Sequence, residues 1–157
     1  RISWTDMVHP LVAHASQKNW RVYFLGGSPG IPGRVTQTFR NRYPSLQMRA
    51  HHGYLENVDV SRVIAEINAF KPNILLVGMG MPKQEHWILT NSAALQSNVI
   101  CTVGACMDYV VGVKKLPPRW LGPIGLEWTY RLFTEPRRLF RRYLIEPWHI
   151  LRFILKG

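Results

Sequence analysis

The sequence holds only two cysteines in 157 residues, Cys101 and Cys106, within the apolar stretch Cys-Thr-Val-Gly-Ala-Cys. That spacing fits neither a CxxC redox pair nor a zinc site, and no second pair completes a metal set. Two reduced, packed thiols are the expected state, which points to a reducing, cytoplasmic compartment. No uninterrupted apolar run approaches the roughly 20 residues that span a bilayer. Polar residues also interrupt residues 2–12, so no signal-peptide pattern opens the chain. Internal repeats and low-complexity tracts are missing as well. Acidic residues are scarce, nine Asp/Glu against 20 Lys/Arg, for a net charge of +11. What remains is 46% hydrophobic and 18% charged, a globular composition rather than a disordered one. A chain of this length fits one core-bearing domain. Its first residue is Arg1 rather than Met, so a fragment or a processed product is expected.

The excess charge is uneven. Residues 114–157 carry ten Lys/Arg against three Glu, net +7, while residues 1–113 carry ten against six, net +4. A basic C-terminal segment attracts phosphates, whether on nucleic acid, lipid head groups or a diphosphate substrate.

Residues 21–25 form a short apolar β-type run ending at Gly26-Gly27-Ser28-Pro29-Gly30, followed by a helical stretch over about 32–42 closed by Pro44. Residues 46–50 read as a second strand leading into His51-His52-Gly53-Tyr54. Residues 61–70 have helical periodicity, stopped by Lys71-Pro72. The fully apolar run 74–77 suits a parallel strand covered on both faces. It breaks at Gly78-Met79-Gly80-Met81-Pro82, and a helix over about 82–94 follows, with proline near its first turn. Residues 99–103 are the next strand, ending at Gly104. Strand, glycine turn, helix, repeated, predicts an α/β fold with a Rossmann-like parallel sheet and flanking helices. Ligands of such folds sit beyond the carboxyl ends of the strands, where these glycine turns lie. After Asp108 a Pro/Gly-rich connection leads into a helical stretch from Gly125 onward, in which aromatics and arginines interleave. The expected division is a core over 1–115 and a basic helical appendage over 116–157.

Gly26 and Gly27, between a strand and a helix, are placed to turn backbone N–H groups toward a phosphate, although an ordinary βα turn reads the same. The segment does not match GxGxxG, and no acidic residue stands about 20 positions on, so a nicotinamide-dependent dehydrogenase fits poorly. Gly78, Gly80, Pro82, Lys83, Gln84 and Glu85 form a more specific group. Two glycines let backbone approach a ligand, and a cation and an amide open the next helix, which suits a nucleotide or sugar; an ordinary helix start is the alternative. Asp108, among apolar neighbours, is either a site group or a cap on the following turn. His51 and His52 are adjacent, with no carboxylate at a usual ligand spacing, so metal binding is not expected. Arg137 with Arg141 and Arg138 with Arg142 are i,i+4 pairs beside an apolar stripe of Leu139/Tyr143 and Phe140/Leu144. That arrangement suits packing at an interface while guanidiniums grip phosphates. A solvated basic face is the plainer alternative. Nucleic acid is not the expected partner, because no RNA or DNA motif accompanies the charge.

Gly-Met-Gly-Met-Pro-Lys-Gln-Glu (78–85), Val-Gly-Ala-Cys-Met-Asp (103–108), Pro-Arg-Trp (118–120), Gly-Leu-Glu-Trp-Thr-Tyr-Arg (125–131) and Glu-Pro-Arg-Arg-Leu-Phe-Arg-Arg-Tyr (135–143) together resemble the WecG/TagA/CpsF family of bacterial glycosyltransferases. Leu-Gly-Gly (25–27) and His-Gly-Tyr (52–54) agree too, so the resemblance covers essentially the whole chain. It implies transfer of a hexose, N-acetylmannosamine or its uronic acid from a UDP-sugar to a polyprenyl-diphosphate-linked sugar, in the synthesis of teichoic acid linkage units, enterobacterial common antigen or exopolysaccharide. It further implies a Rossmann-like core whose C-terminal appendage reaches the membrane and completes the active site with arginines. Position by position, Arg1 resembles the arginine opening the family's Arg-(Val/Ile)-x-x-x-Asp segment. Gln84 resembles its pocket glutamine, and Arg131, Arg138 and Arg141 its appendage arginines. Arg137 and Arg142 are neighbours of exchangeable role, and Trp148 joins them in contacts with membrane and phosphate. The family's proposed catalytic aspartate, in an Asp-Gly segment, and an acceptor-pocket threonine belong upstream of Arg1. The chain is therefore expected to be the C-terminal part of a longer enzyme and inactive by itself.

The expected chemistry is an inverting, metal-independent transfer without cofactor, in which arginines stabilise the departing UDP. The expected location is the inner face of the bacterial plasma membrane, held peripherally through Trp, Phe and Arg side chains. Self-association is left open. A non-catalytic membrane or lipid-diphosphate binding module is the competing reading.

Overall fold

A computed structural model describes residues 3–56, 58–118, 121, 123 and 125–134. Among the described residues, β1 (Arg21–Gly26), β2 (Gln47–His51), β3 (Ile74–Gly78) and β4 (Val99–Thr102) form one all-parallel sheet in the order β2-β1-β3-β4. The helices before, between and after them are α1 (Trp4–Gln17), α2 (Ile31–Arg42), α3 (Val60–Phe70), α4 (Lys83–Asn91, continued by a 3₁₀ turn at Ser92–Ala94) and α5 (Cys106–Val110). The architecture is the expected α/β, Rossmann-like one. No helix among the described residues is long and apolar enough to cross a membrane.

The pleat of β1 and β3 sends successive side chains to opposite faces, and both faces are covered. Val22, Phe24, Ile74 and Leu76 pack against Val8, Val12 and Ala15 of α1, Val35 and Phe39 of α2, and Cys106 and Met107 of α5. Tyr23, Leu25, Leu75 and Val77 pack on the other side against Val63 and Ile67 of α3 and Trp87 of α4. The phenol of Tyr23 donates to Glu66 Oε1 at 2.9 Å, so its polar end is satisfied at the edge of that core. The β1-to-β2 crossover uses α2 on the first face, and the β2-to-β3 crossover uses α3 on the second. Strand addition therefore reverses between β1 and β3, and their carboxyl ends flank a topological switch point.

Local signals explain most boundaries. Asp59 caps α3, its Oδ1 accepting from the N–H groups of Ser61 (2.9 Å) and Arg62 (3.4 Å). Lys71, in the left-handed region at φ 51°, ends the same helix. Asn73 ties the amino ends of the strands together: its Oδ1 accepts from Arg21 N, its N–H donates to Arg21 O and its carbonyl accepts from Val99 N.

The helix α1 is not anticipated by the strand–helix reading above. Its buried face, Val8, Val12 and Ala15, keeps helical spacing, but Pro10 stands inside it and His9 and His14 interrupt the apolar pattern. His9 of α1 stacks edge-on against Phe39 of α2, with ring centroids 5.5 Å apart and its Nδ1 buried without a partner. Burial first, and the nearby Arg42 charge second, hold its pKa below the ordinary 6.5. The unfolded chain therefore takes up this proton first as pH falls. Stability is full above about 6.5 and declines as pH drops through that value toward the lower folded one. Thermal unfolding between pH 7.5 and 5.5 is expected to show this decline, with a shallower slope in His9→Gln; equal slopes would contradict it.

The chain divides between Lys114 and Lys115 into two units. The first holds the sheet and α1–α5. In the second, α6 (Glu127–Thr134) follows Gly125, which sits at φ 72°. The hydroxyls of Thr129 and Thr134 donate back to the carbonyls of Leu126 and Tyr130, and Phe133 is 85% exposed.

Candidate functional site

Each strand of the sheet ends, at its carboxyl side, in a glycine or two residues before one. Gly26 lies in register with Gly78. A β-carbon added to Gly26 would stand 2.3 Å from Gly78 O, and one added to Gly78 would stand 2.7 Å from Gly104 O and 2.9 Å from the Phe24 ring. One added to Gly53 would meet Met79 Cγ at 2.9 Å and Gly26 Cα at 3.0 Å. These glycines let the loops after β1, β2 and β3 close onto one another. The N–H of Gly27 donates to Gly78 O at 3.2 Å and that of Gly53 to Gly27 O at 2.9 Å, so neither is left for a phosphate.

Gly80 and Gly104 differ. Both have positive φ, 81° and 53°, and a β-carbon on either would meet nothing within 4 Å among the described residues. Here backbone faces open space where a ligand can approach. The two glycines of the 78–80 segment thus serve different ends: Gly78 is required by protein packing, and Gly80 by backbone conformation beside an open surface.

After Gly80 the chain passes through a cis Met81–Pro82 peptide into α4, with Pro82 at its N-cap. Gln84, in the first turn, is only 4% exposed. Its Oε1 accepts from the Gly104 N–H at 3.1 Å, across to the end of β4, and its Nε2 donates to Glu85 Oε1 at 2.7 Å. The other carboxylate oxygen of Glu85, Oε2, is shielded from solvent and has no hydrogen-bond partner among the described residues. Lys83 is exposed and pairs at 3.0 Å with Glu56, on the loop after β2. Both side chains are more than two-thirds exposed, so the pair aligns two loops more than it stabilises the fold. His51 Nδ1 lies 2.8 Å from the His52 carbonyl, while His52 Nδ1 is buried and unpartnered. Among the described residues no three His, Cys, Asp or Glu side chains gather as a metal set.

The structure therefore brings Gly26, Gly27, Gly78, Gly80, Pro82, Lys83, Gln84 and Glu85 to one edge of the sheet. Asp108 stands in α5, just beyond β4. Its carboxylate pairs with Lys114 at 3.5 Å, and its carbonyl accepts from the N–H groups of Val113 and Lys114, fastening the turn after α5. Burial first, and the Asp108 charge second, push the Cys106 thiol up to about 12. Burial alone raises Cys101. Ellman's reagent at pH 8 is accordingly expected to leave Cys106 unmodified until the protein is unfolded; rapid native labelling of both thiols would contradict this. Arg131 lies in α6. Arg1, Arg137, Arg138, Arg141, Arg142 and Trp148 lie outside the described residues. Glu56, His52 and Gly104 join the site without having been singled out as site residues from sequence. Glu56 had no signal to give, since only the strand order sets it beside Lys83.

Residues 1–157 match the family described as "Glycosyl transferase WecG/TagA/CpsF family". The sequence is 33% identical over 141 residues to the N-acetylglucosaminyldiphosphoundecaprenol N-acetyl-beta-D-mannosaminyltransferase of Staphylococcus aureus strain NCTC 8325 / PS 47, covering 90% of this chain and 55% of that protein. Proteins of the same name from strains COL and MRSA252 show the same identity and coverage. The chain thus spans about half the length of the curated relatives it matches.

Proposed function

The chain belongs to the WecG/TagA/CpsF family of glycosyl transferases, and from that premise we propose that it forms part of an enzyme transferring a hexose or N-acetylhexosamine, or its uronate, from a UDP-sugar to a polyprenyl-diphosphate-linked saccharide. The proposed setting is cell-surface polysaccharide synthesis at the inner face of the bacterial plasma membrane. The observation that carries the reading is the meeting of the 78–85 segment with Gly26 and Gly104 at the switch point of a parallel sheet, in a chain matched to the family from end to end. The names of the relatives favour an N-acetylhexosamine and a diphosphate-linked acceptor.

In this reading the open backbone at Gly80 and Gly104 admits the donor. An acceptor hydroxyl attacks its anomeric carbon and gives its proton to a base, the aspartate that the family places upstream of Arg1. The bond from anomeric carbon to diphosphate oxygen breaks with its electron pair on UDP. Arg131, Arg138 and Arg141 stabilise that growing charge, and Arg137, Arg142 and Trp148 hold the membrane surface. Deleting residues from about 125 onward in the full-length parent is expected to abolish both transfer and pelleting with anionic liposomes. A truncated protein that still transfers would overturn the catalytic role of the appendage; one that still pellets would overturn its membrane role.

A further inference from the structure

The two outer strands of the sheet are built differently. In β2 the exposed Gln47 and Arg49 alternate with the buried Met48, the pattern of a strand with one wet face. The Arg40 guanidinium donates to the Met48 carbonyl at 2.8 Å, and that of Arg49 lies over the Phe70 ring at 5.1 Å. Charged side chains so placed protect an edge from further pairing. β4 has no such protection: Val99, Ile100, Cys101 and Thr102 include no charge and no proline. Cys101 packs on one core and Ile100 on the other, so β4 presents apolar side chains to both faces, as β1 and β3 do. Yet none of its four residues is fully buried and Val99 is 50% exposed, whereas every residue of β3 is buried.

The backbone of β4 points the same way. The Val99 N–H donates to Asn73 O at 3.1 Å and the Val103 N–H to Val77 O at 2.8 Å. Alternate residues of a parallel strand face the same neighbour. Ile100 and Thr102 therefore turn their N–H and C=O groups away from β3, to a side where no strand stands among the described residues.

We propose that β4 is an interior strand of the full-length protein, and that a further parallel strand, from the segment upstream of Arg1, pairs with Ile100 and Thr102. The four described strands are all parallel, and a strand apolar on both faces belongs inside such a sheet. Relatives have chain to supply it, since the matched stretch is only 55% of their length. A second copy of this chain fits worse. A two-fold axis between β4 strands would pair them antiparallel, and each copy brings a net charge of +11 to the contact. A parallel neighbour of β4 ends at the edge where Gly78 and Gly104 lie, so the loop after it enters the candidate site. This deepens the proposed function, on which it rests for placing the segment upstream: strand pairing is the route by which the upstream base reaches the donor.

The test is hydrogen exchange in the full-length parent, with the Ile100 and Thr102 amides resolved by NMR. Both are expected to exchange on the order of a thousandfold more slowly than free amides, as Cys101 does, and to show parallel-register NOEs to residues upstream of Arg1. Rapid exchange at Ile100 and Thr102 beside a slow Cys101 would overturn the proposal. So would antiparallel NOEs, a pairing partner within residues 1–157, or NOEs between differently labelled copies, the mark of a dimer. Thr102→Pro gives a second reading, because it deletes an outward N–H and leaves the Val99 and Val103 bonds to β3 in place. Proline is tolerated at a free edge, but in a paired strand it is expected to lower the melting temperature by roughly 6–12 °C. An unchanged melting temperature would count against pairing as firmly as rapid exchange. A parent with β4 paired that transfers nothing would refute the proposed function and leave the added strand standing; one that transfers with these amides exchanging freely would do the reverse.

Discussion

Gly26→Ala is expected to destabilise the protein by about 3 kcal/mol or more, enough to leave much of it unfolded. The added β-carbon would lie 2.3 Å from Gly78 O and 2.6 Å from Gly78 C, and both are backbone atoms of a central strand. No rotamer change relieves such a collision, because the two glycines are register partners in adjacent strands. Relief requires β1 and β3 to part, at the point where both faces of the sheet are buried. Gly80→Ala supplies the contrast. Its φ of 81° is unfavourable for alanine, a cost of about 1–2 kcal/mol, but its new methyl meets nothing within 4 Å among the described residues. Urea unfolding of the two variants measures the difference, and equal midpoints would show that the close approach at Gly26 is not real.

Arg138→Glu in the full-length parent is expected to lower the rate of transfer on the order of a hundredfold or more, with little change in thermal stability. Removing one preorganised group aimed at developing charge typically costs that much, and a carboxylate there adds repulsion toward the departing UDP. The expectation rests on the family membership and on the position of Arg138 in the Glu-Pro-Arg-Arg-Leu-Phe-Arg-Arg-Tyr segment. Arg137→Glu provides the internal control. If the two arginines exchange roles, its loss will exceed that of Arg138→Glu; if both variants turn over normally, the appendage arginines play no part in the chemistry.

Much of the sheet was legible in the sequence because burial on both faces leaves continuous apolar runs, 21–25 and 74–77, each ended by glycine. The same runs placed the glycine turns together, since in a parallel sheet they must lie at one edge, and that edge is the candidate site. The helix α1 was not legible, because Pro10 and two histidines break the apolar pattern that Val8, Val12 and Ala15 would otherwise show. Within the site, the sequence could not separate Gly78 from Gly80. One is fixed by a neighbouring strand and the other by its own φ, and both print as glycine in one motif. Nor could it show that Gln84 reaches Gly104, 20 residues on, or that Lys83 reaches Glu56, 27 residues back. Both contacts follow from the strand order β2-β1-β3-β4, which brings distant loops together above the sheet.

The proposed activity is transfer from a UDP-sugar to a lipid-diphosphate acceptor. The measurement that tests it most directly is UDP release by the full-length parent, with UDP-N-acetylmannosamine, its uronate and UDP-glucose as donors, with and without a soluble lipid-diphosphate-sugar acceptor. UDP release is expected with one donor, and only when acceptor is present. No acceptor-dependent release with any of the three, from folded protein that still binds membranes, would contradict it and leave a lipid-diphosphate binding module in its place.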